Sequence, residues 1–185
     1  MALRNTDATY GSAAKWFHWL IFALIAVLLT VGFIMTDLEN GPDKFKMYGM
    51  HKAFGICVLG LVFLRLVWKL INTSPALPDT LNRLQKMAAR GLHWILYGLM
   101  FAMPLSGWAM SSAAGFPVSV FGLFTLPNLV SPDKALLEAL KEVHETIAYA
   151  IIVLVSLHII AALMHHFHYK DNVLRRMLPE MGRKQ

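Results

Sequence analysis

The chain has 185 residues, 57% of them hydrophobic and 15% charged, with a mean hydropathy of +0.52 and a formal charge of +6. Soluble domains carry about 25% charged residues, so this composition excludes a disordered tail, a collagen-like fibre and a large soluble enzyme core. The single cysteine, Cys57, lies in an apolar run and excludes a disulfide-stapled module, while eight histidines stand out in an otherwise apolar chain.

A membrane-spanning helix needs about 20 mostly apolar residues. The first such run covers residues 16–36, with His18 as its strongly polar member. The second, 53–71, is interrupted by Arg65, and the third, 93–111, contains Pro104, which predicts a kink. The fourth, 143–166, carries His144, Glu145 and His158. With their flanks these runs predict helices over about 14–37, 50–72, 82–111 and 142–168. Residues 1–185 therefore read as a single all-α domain, an integral membrane four-helix bundle. The first run is too long for a secretory signal and no small-residue cleavage site follows it, so it is expected to stay in the mature protein. The stretch 112–142 is long for a helix connection. Its Phe116, Pro117, Phe121, Phe124, Leu126 and Pro127 favour an ordered segment on the outer membrane surface.

Loop charges set the expected orientation. The segment before the first helix sums to +1, the first-to-second connection to −1, and the second-to-third to +3. The third-to-fourth connection sums to −1, and the tail, with Lys170, Arg175, Arg176, Arg183 and Lys184 against Asp171 and Glu180, to +3. Eleven Lys and Arg residues on one side against four on the other predict that both termini are cytoplasmic. The positive charge is thus a topology signal. It is dispersed over three segments with no basic reading helix, which argues against nucleic acid as a partner.

Ionisable side chains inside a bilayer are costly and mark functional positions by default. His144 and His158 are 14 residues apart, which on a helix is about 21 Å of rise and about 40° short of four full turns. They project from one face at two depths, and His165 continues the stripe at the inner edge. His51 begins the second helix at the depth of His144, and His18 begins the first near that of His158. Two cross-helix histidine pairs stacked through a bilayer are what two six-coordinate haems require. His93 stays open as a rival partner for His158 or as a structural group. Arg65, 14 residues after His51, reaches the inner layer, where it pairs with a haem propionate or snorkels toward the cytoplasm. The methionines read as packing material.

The chain resembles the bacterial cytochrome b561 family of four-helix di-haem membrane cytochromes from about Tyr10 to Pro179. The likeness is carried by Trp16-Phe17-His18-Trp19-Leu20, Met50-His51-Lys52-Ala53-Phe54-Gly55 and Leu64-Arg65-Leu66, then by His93, Tyr97, Pro104 and Gly107. It continues through His144-Glu145-Thr146, Leu157-His158, His165-His166, Lys170-Asp171-Asn172 and Arg176-Met177-Leu178-Pro179. The resemblance implies two haem b groups, an outer one on His51 and His144 and an inner one on His18 and His158. Within the family the likeness is to the superoxide oxidase type, which takes electrons from superoxide at the periplasmic side of the bacterial inner membrane and gives them to ubiquinone. It also implies that His165 contributes to the quinone site.

On that reading His165 is a proton relay or quinone contact, a role suited to imidazole chemistry, with His166 and His168 beside it. The same run reads alternatively as a metal site or an interfacial cluster. Lys44, Lys46 and Lys52 near His51, with Lys134 and Lys141 upstream of His144, form a cationic funnel for superoxide or are ordinary solvated charges. A second function keeps the haems but makes the chain the electron-transfer subunit of a dehydrogenase or hydrogenase, docked to a partner protein through its outer loops. A third uses the histidines to bind or transport free metal ions. Nucleotide-loop, nucleophile-elbow and zinc-helix motifs are absent.

Overall fold

The computed structural model describes residues 2–78 and 80–179. Asp79, Glu180, Arg183 and Lys184, which enter the loop charges above, lie outside the described residues. The elements in chain order are α1 (Ser12–Asp37), α2 (Pro42–Leu70), α3 (Arg83–Ala113), a hairpin of β1 (Val118–Val120) and β2 (Phe124–Leu126), α4 (Lys134–Phe167) and the short α5 (Val173–Met177).

The helix ends follow local chemistry. Pro42 occupies the first turn of α2, where its missing N–H costs nothing, and Asp43 beside it suits the positive helix end. At α3 the Asn82 side chain accepts from Gln85 N, and the Gln85 side chain accepts from Asn82 N, both at 2.9 Å. This reciprocal capping box satisfies two otherwise orphaned donors. Asp133 caps α4 by accepting from Leu136 N at 2.8 Å. These caps place the starts of α2 and α4 about two turns before the expected 50 and 142. Hydropathy marks the apolar part of a helix, whereas capping marks where the helix begins.

Among the described residues three helices, α1, α2 and α4, are long and apolar enough to cross a membrane. The third is of similar length, but its ends are polar, with Arg83, Lys86 and Arg90 at one and Ser106, Ser111 and Ser112 at the other. Helix packing runs α1 on α2, α2 on α3 and α3 on α4. At mid-height Ile21, Val58, Val62 and Tyr97 are buried, with Phe17, Leu24, Leu61 and Met100 packed around them. Large apolar residues such as Phe33, Phe63, Val153 and Ile160 are exposed on the outside. An apolar exterior over a small core is the pattern of helices solvated by lipid.

The two ends of the bundle differ. At one, Asn5 Nδ2 donates to Thr73 O (2.7 Å), Trp19 Nε1 to Met177 O (2.9 Å) and Arg176 Nη1 to Ala76 O (2.6 Å). The N-terminal segment, the α2–α3 connection and the C-terminal segment are thereby tied together at this terminal end. Gly11 is required there, because a Cβ would lie 2.3 Å from Leu3 O. At the other end stands the hairpin, antiparallel with Val118 opposite Leu126 and Val120 opposite Phe124. Its turn residues Phe121 and Gly122 both have positive φ, 52° and 74°, the sign pattern of a tight I′ hairpin turn. Phe121 packs against Phe54 of α2, ring centres 5.1 Å apart.

Candidate functional site

At the hairpin end His51 of α2 and His144 of α4 face each other, ring centres 6.5 Å apart and planes crossed at 68°. The Ser106 hydroxyl donates to Met103 O (2.8 Å) and lies 2.9 Å from His144 Nδ1. A hydroxyl has one proton, so Ser106 accepts from Nδ1–H, and the neutral His144 ring keeps its lone pair at Nε2. Both rings lie against glycine. A Cβ on Gly107 would sit 3.0 Å from His144 Cε1, and one on Gly32 would sit 3.5 Å from His51 Cε1. His51 Nδ1 is buried without a hydrogen-bond partner.

Toward the terminal end His18 of α1 and His158 of α4 form a second pair, ring centres 6.1 Å apart and planes crossed at 72°. The third helix adds His93, 5.3 Å from the His158 ring. The Nδ1 of His93 donates to Ala89 O at 2.7 Å, one turn back on its own helix. The Nη2 of Arg65 lies 3.0 Å from His18 Nδ1. Guanidinium only donates, so here Nδ1 accepts and the neutral His18 ring carries its proton on Nε2. Arg65 also lies over Tyr97 (5.7 Å), and Lys69, one turn on, over Trp94 (4.5 Å) and Tyr97 (4.9 Å). Among the described residues no carboxylate is ion-paired with either cation. Tyr10, just before α1, adds a phenol that burial raises above its ordinary pKa.

An iron bound at about 2 Å to an imidazole on each side sets the ring centres about 6 Å apart. Both cross-helix pairs lie within about half an ångström of that spacing, whereas His93–His158, at 5.3 Å, is about 0.7 Å short of it. The outer pair has the spacing and the donor chemistry that suit a haem iron, with its rings against glycine and the His144 tautomer set by Ser106. The inner pair fits once Arg65 turns from His18 to an acid group such as a propionate, which frees Nε2. Among the described residues no three His, Cys, Asp or Glu side chains converge as a site for a free metal ion.

Beyond the inner pair, His165 Nδ1 contacts Asp171 Oδ2 at 2.5 Å. His166 Nδ1 is buried without a partner and His168 is exposed. Asp171 carries no site role in the sequence, where it enters only the tail charge and the stretch Lys170-Asp171-Asn172. The lysines of the expected group have different partners in the structure. Lys52 Nζ donates to Ser111 Oγ (3.1 Å) and Pro117 O (3.4 Å), tying α2 to the hairpin end of α3. Lys44 Nζ donates to Leu38 O (2.7 Å) at the end of α1, and Lys141 pairs with Glu138 (2.8 Å). Lys46 and Lys134 are exposed.

A family model described as prokaryotic cytochrome b561 matches residues 9–180. Cytochrome b561 homolog 2 of Escherichia coli (strain K12) is 33% identical over 179 residues, covering 96% of this chain and 95% of the relative. Cytochrome b561 homolog 1 of the same strain is 31% identical over 171 residues, 92% and 97% of the two chains. A Yersinia pestis protein named probable superoxide oxidase CybB is 30% identical over 167 residues, 88% and 92% of the two chains.

Proposed function

The chain belongs to the prokaryotic cytochrome b561 family, and from that premise we propose that it is a di-haem b oxidoreductase carrying electrons from superoxide to ubiquinone. It is an integral membrane redox protein, and haem binding is expected of its family. The observation that carries the finer reading is the pair of cross-helix histidine couples, 6.5 and 6.1 Å between ring centres, at two levels of α4. The Yersinia relative's name, probable superoxide oxidase, supports the choice of donor.

On this reading α3 spans with the other three helices, the membrane is the bacterial inner membrane, and the terminal end faces the cytoplasm. His51 and His144 hold the outer haem b, and His18 and His158 the inner one. A haem in each position supplies a one-electron carrier. Arg65 would be the residue to hold an inner-haem propionate, which would leave His18 Nδ1 to carry the ring proton and Nε2 free to ligate. Two superoxide anions each lose one electron to become dioxygen, and ubiquinone takes the two electrons and two protons to become ubiquinol. Lys52, held by two uncharged acceptors rather than a carboxylate, presents an uncompensated positive charge to the approaching anion. His165 serves the quinone at the cytoplasmic side.

The test is a superoxide pulse on purified protein with and without ubiquinone, following haem absorption and ubiquinol. Rapid haem reduction, with ubiquinol formed when ubiquinone is present, is expected. Haems that respond to a dehydrogenase partner but not to superoxide would transfer the chain to the electron-carrier reading.

A further inference from the structure

The C-terminal end of α4 turns back on itself, and the turn has a chemical result. His168 N and Tyr169 N both bond to Met164 O, and Asp171 N bonds to His165 O at 3.1 Å. Between them Lys170 takes a left-handed conformation, φ 54°, which a side-chain-bearing residue adopts only at a cost. The turn brings the Asp171 carboxylate over the last turn of the helix. Its Oδ1 accepts from Val173 N (3.0 Å) and its Oδ2 meets His165 Nδ1 (2.5 Å). The segment that follows is pinned at Arg176 and Met177 to the N-terminal segment, α1 and the α2–α3 connection. Asp171 is therefore fixed from both sides. The two side chains are each 15% exposed, shielded from bulk water yet reachable.

We propose that Asp171 is a positioning residue that makes His165 the proton donor to ubiquinone. An ionised carboxylate only accepts, so Nδ1 carries a proton toward Asp171 and Nε2 is the ring atom left to face the substrate. When the ring is protonated, Nε2–H gives its proton to a quinone oxygen as an electron arrives. The ring returns to neutral with Nδ1–H still held, and a cytoplasmic water proton restores Nε2–H. Two such cycles supply the two protons that accompany the two electrons. Asp171 holds the tautomer and orientation throughout without itself exchanging the proton, the division of labour seen wherever a carboxylate steers an imidazole.

This inference rests on the quinone-reducing function proposed above. The experiment compares purified holoprotein with Asp171→Asn, Asp171→Glu, His165→Gln and the Asp171→Asn/His165→Gln double variant, using ubiquinone and superoxide. Asp171→Asn is expected to lower kcat about tenfold or more. The ubiquinone KM and the rate of haem reduction by superoxide should not change, and the solvent deuterium effect on turnover should grow. Asp171→Glu should recover part of the loss, and Asp171→Asn should cost nothing further once His165 is gone. Unchanged kcat, a change confined to KM, or losses that add in the double variant would overturn the assignment. Should Asp171→Asn lower haem content, the Glu variant decides: recovered turnover supports the dyad, and continued loss at full haem content overturns it. Wild-type protein that reduces its haems but never forms ubiquinol would overturn the function and the dyad together.

Discussion

Replacing Gly107 with alanine asks whether His144 is held to a metal-ligand tolerance. The new Cβ would lie 3.0 Å from His144 Cε1 and 3.5 Å from Nδ1. Non-bonded carbons settle at about 3.5–4.0 Å, so the ring must retreat by about half an ångström. Ser106 holds Nδ1 at 2.9 Å and resists the movement. Metal–ligand distances tolerate about 0.2 Å, which is less than the displacement. Overpacking of this kind costs about 1–3 kcal/mol. Drawn from haem binding, that is about 5-fold to 150-fold in affinity at 1.4 kcal/mol per tenfold. Gly32→Ala is the matched control, since its Cβ meets His51 Cε1 at 3.5 Å, an ordinary contact. The assay is haem per chain by pyridine haemochrome after challenge with a haem-scavenging apoprotein. Gly107→Ala should fall toward one haem while Gly32→Ala keeps two. Equal retention in both variants, with unchanged spectra and potentials, would refute the reasoning.

Three further outcomes are expected. His18→Ala and His158→Ala should each leave one haem and His93→Ala two, because the His93–His158 spacing of 5.3 Å is too short for an intervening iron; haem counts on the three variants check this. Lys52→Gln should slow superoxide-driven haem reduction several-fold at low ionic strength and flatten its salt dependence, as stopped-flow rates across a salt series would record. Asn82→Ala removes the reciprocal cap of α3 and should cost about 1 kcal/mol, read as a lower melting temperature with haem content unchanged.

The spans of α1, α2 and α4 could be read from the sequence because a bilayer demands uninterrupted apolar length. The polar ends of α3 weaken the same signal. The 14-residue spacing of His144 and His158 was legible because helical geometry is fixed, and it led to the partners His51 and His18. What escaped depends on direction rather than period. Lys52 follows His51 in the chain, yet its ammonium is turned to Ser111 and Pro117. Asp171 reaches His165 only because Lys170 adopts a positive φ, which no propensity favours in a lysine. The β1–β2 hairpin has strands of three residues, too short for an alternating pattern to register.

The central claim is that α4 carries one member of each of two imidazole pairs, with a haem b in each. Potentiometric titration of the purified protein, followed in the haem absorption bands, tests it most directly. Two one-electron low-spin components are predicted, the outer lost in His144→Ala and the inner in His158→Ala. A single component, or two that both survive either substitution, would contradict it.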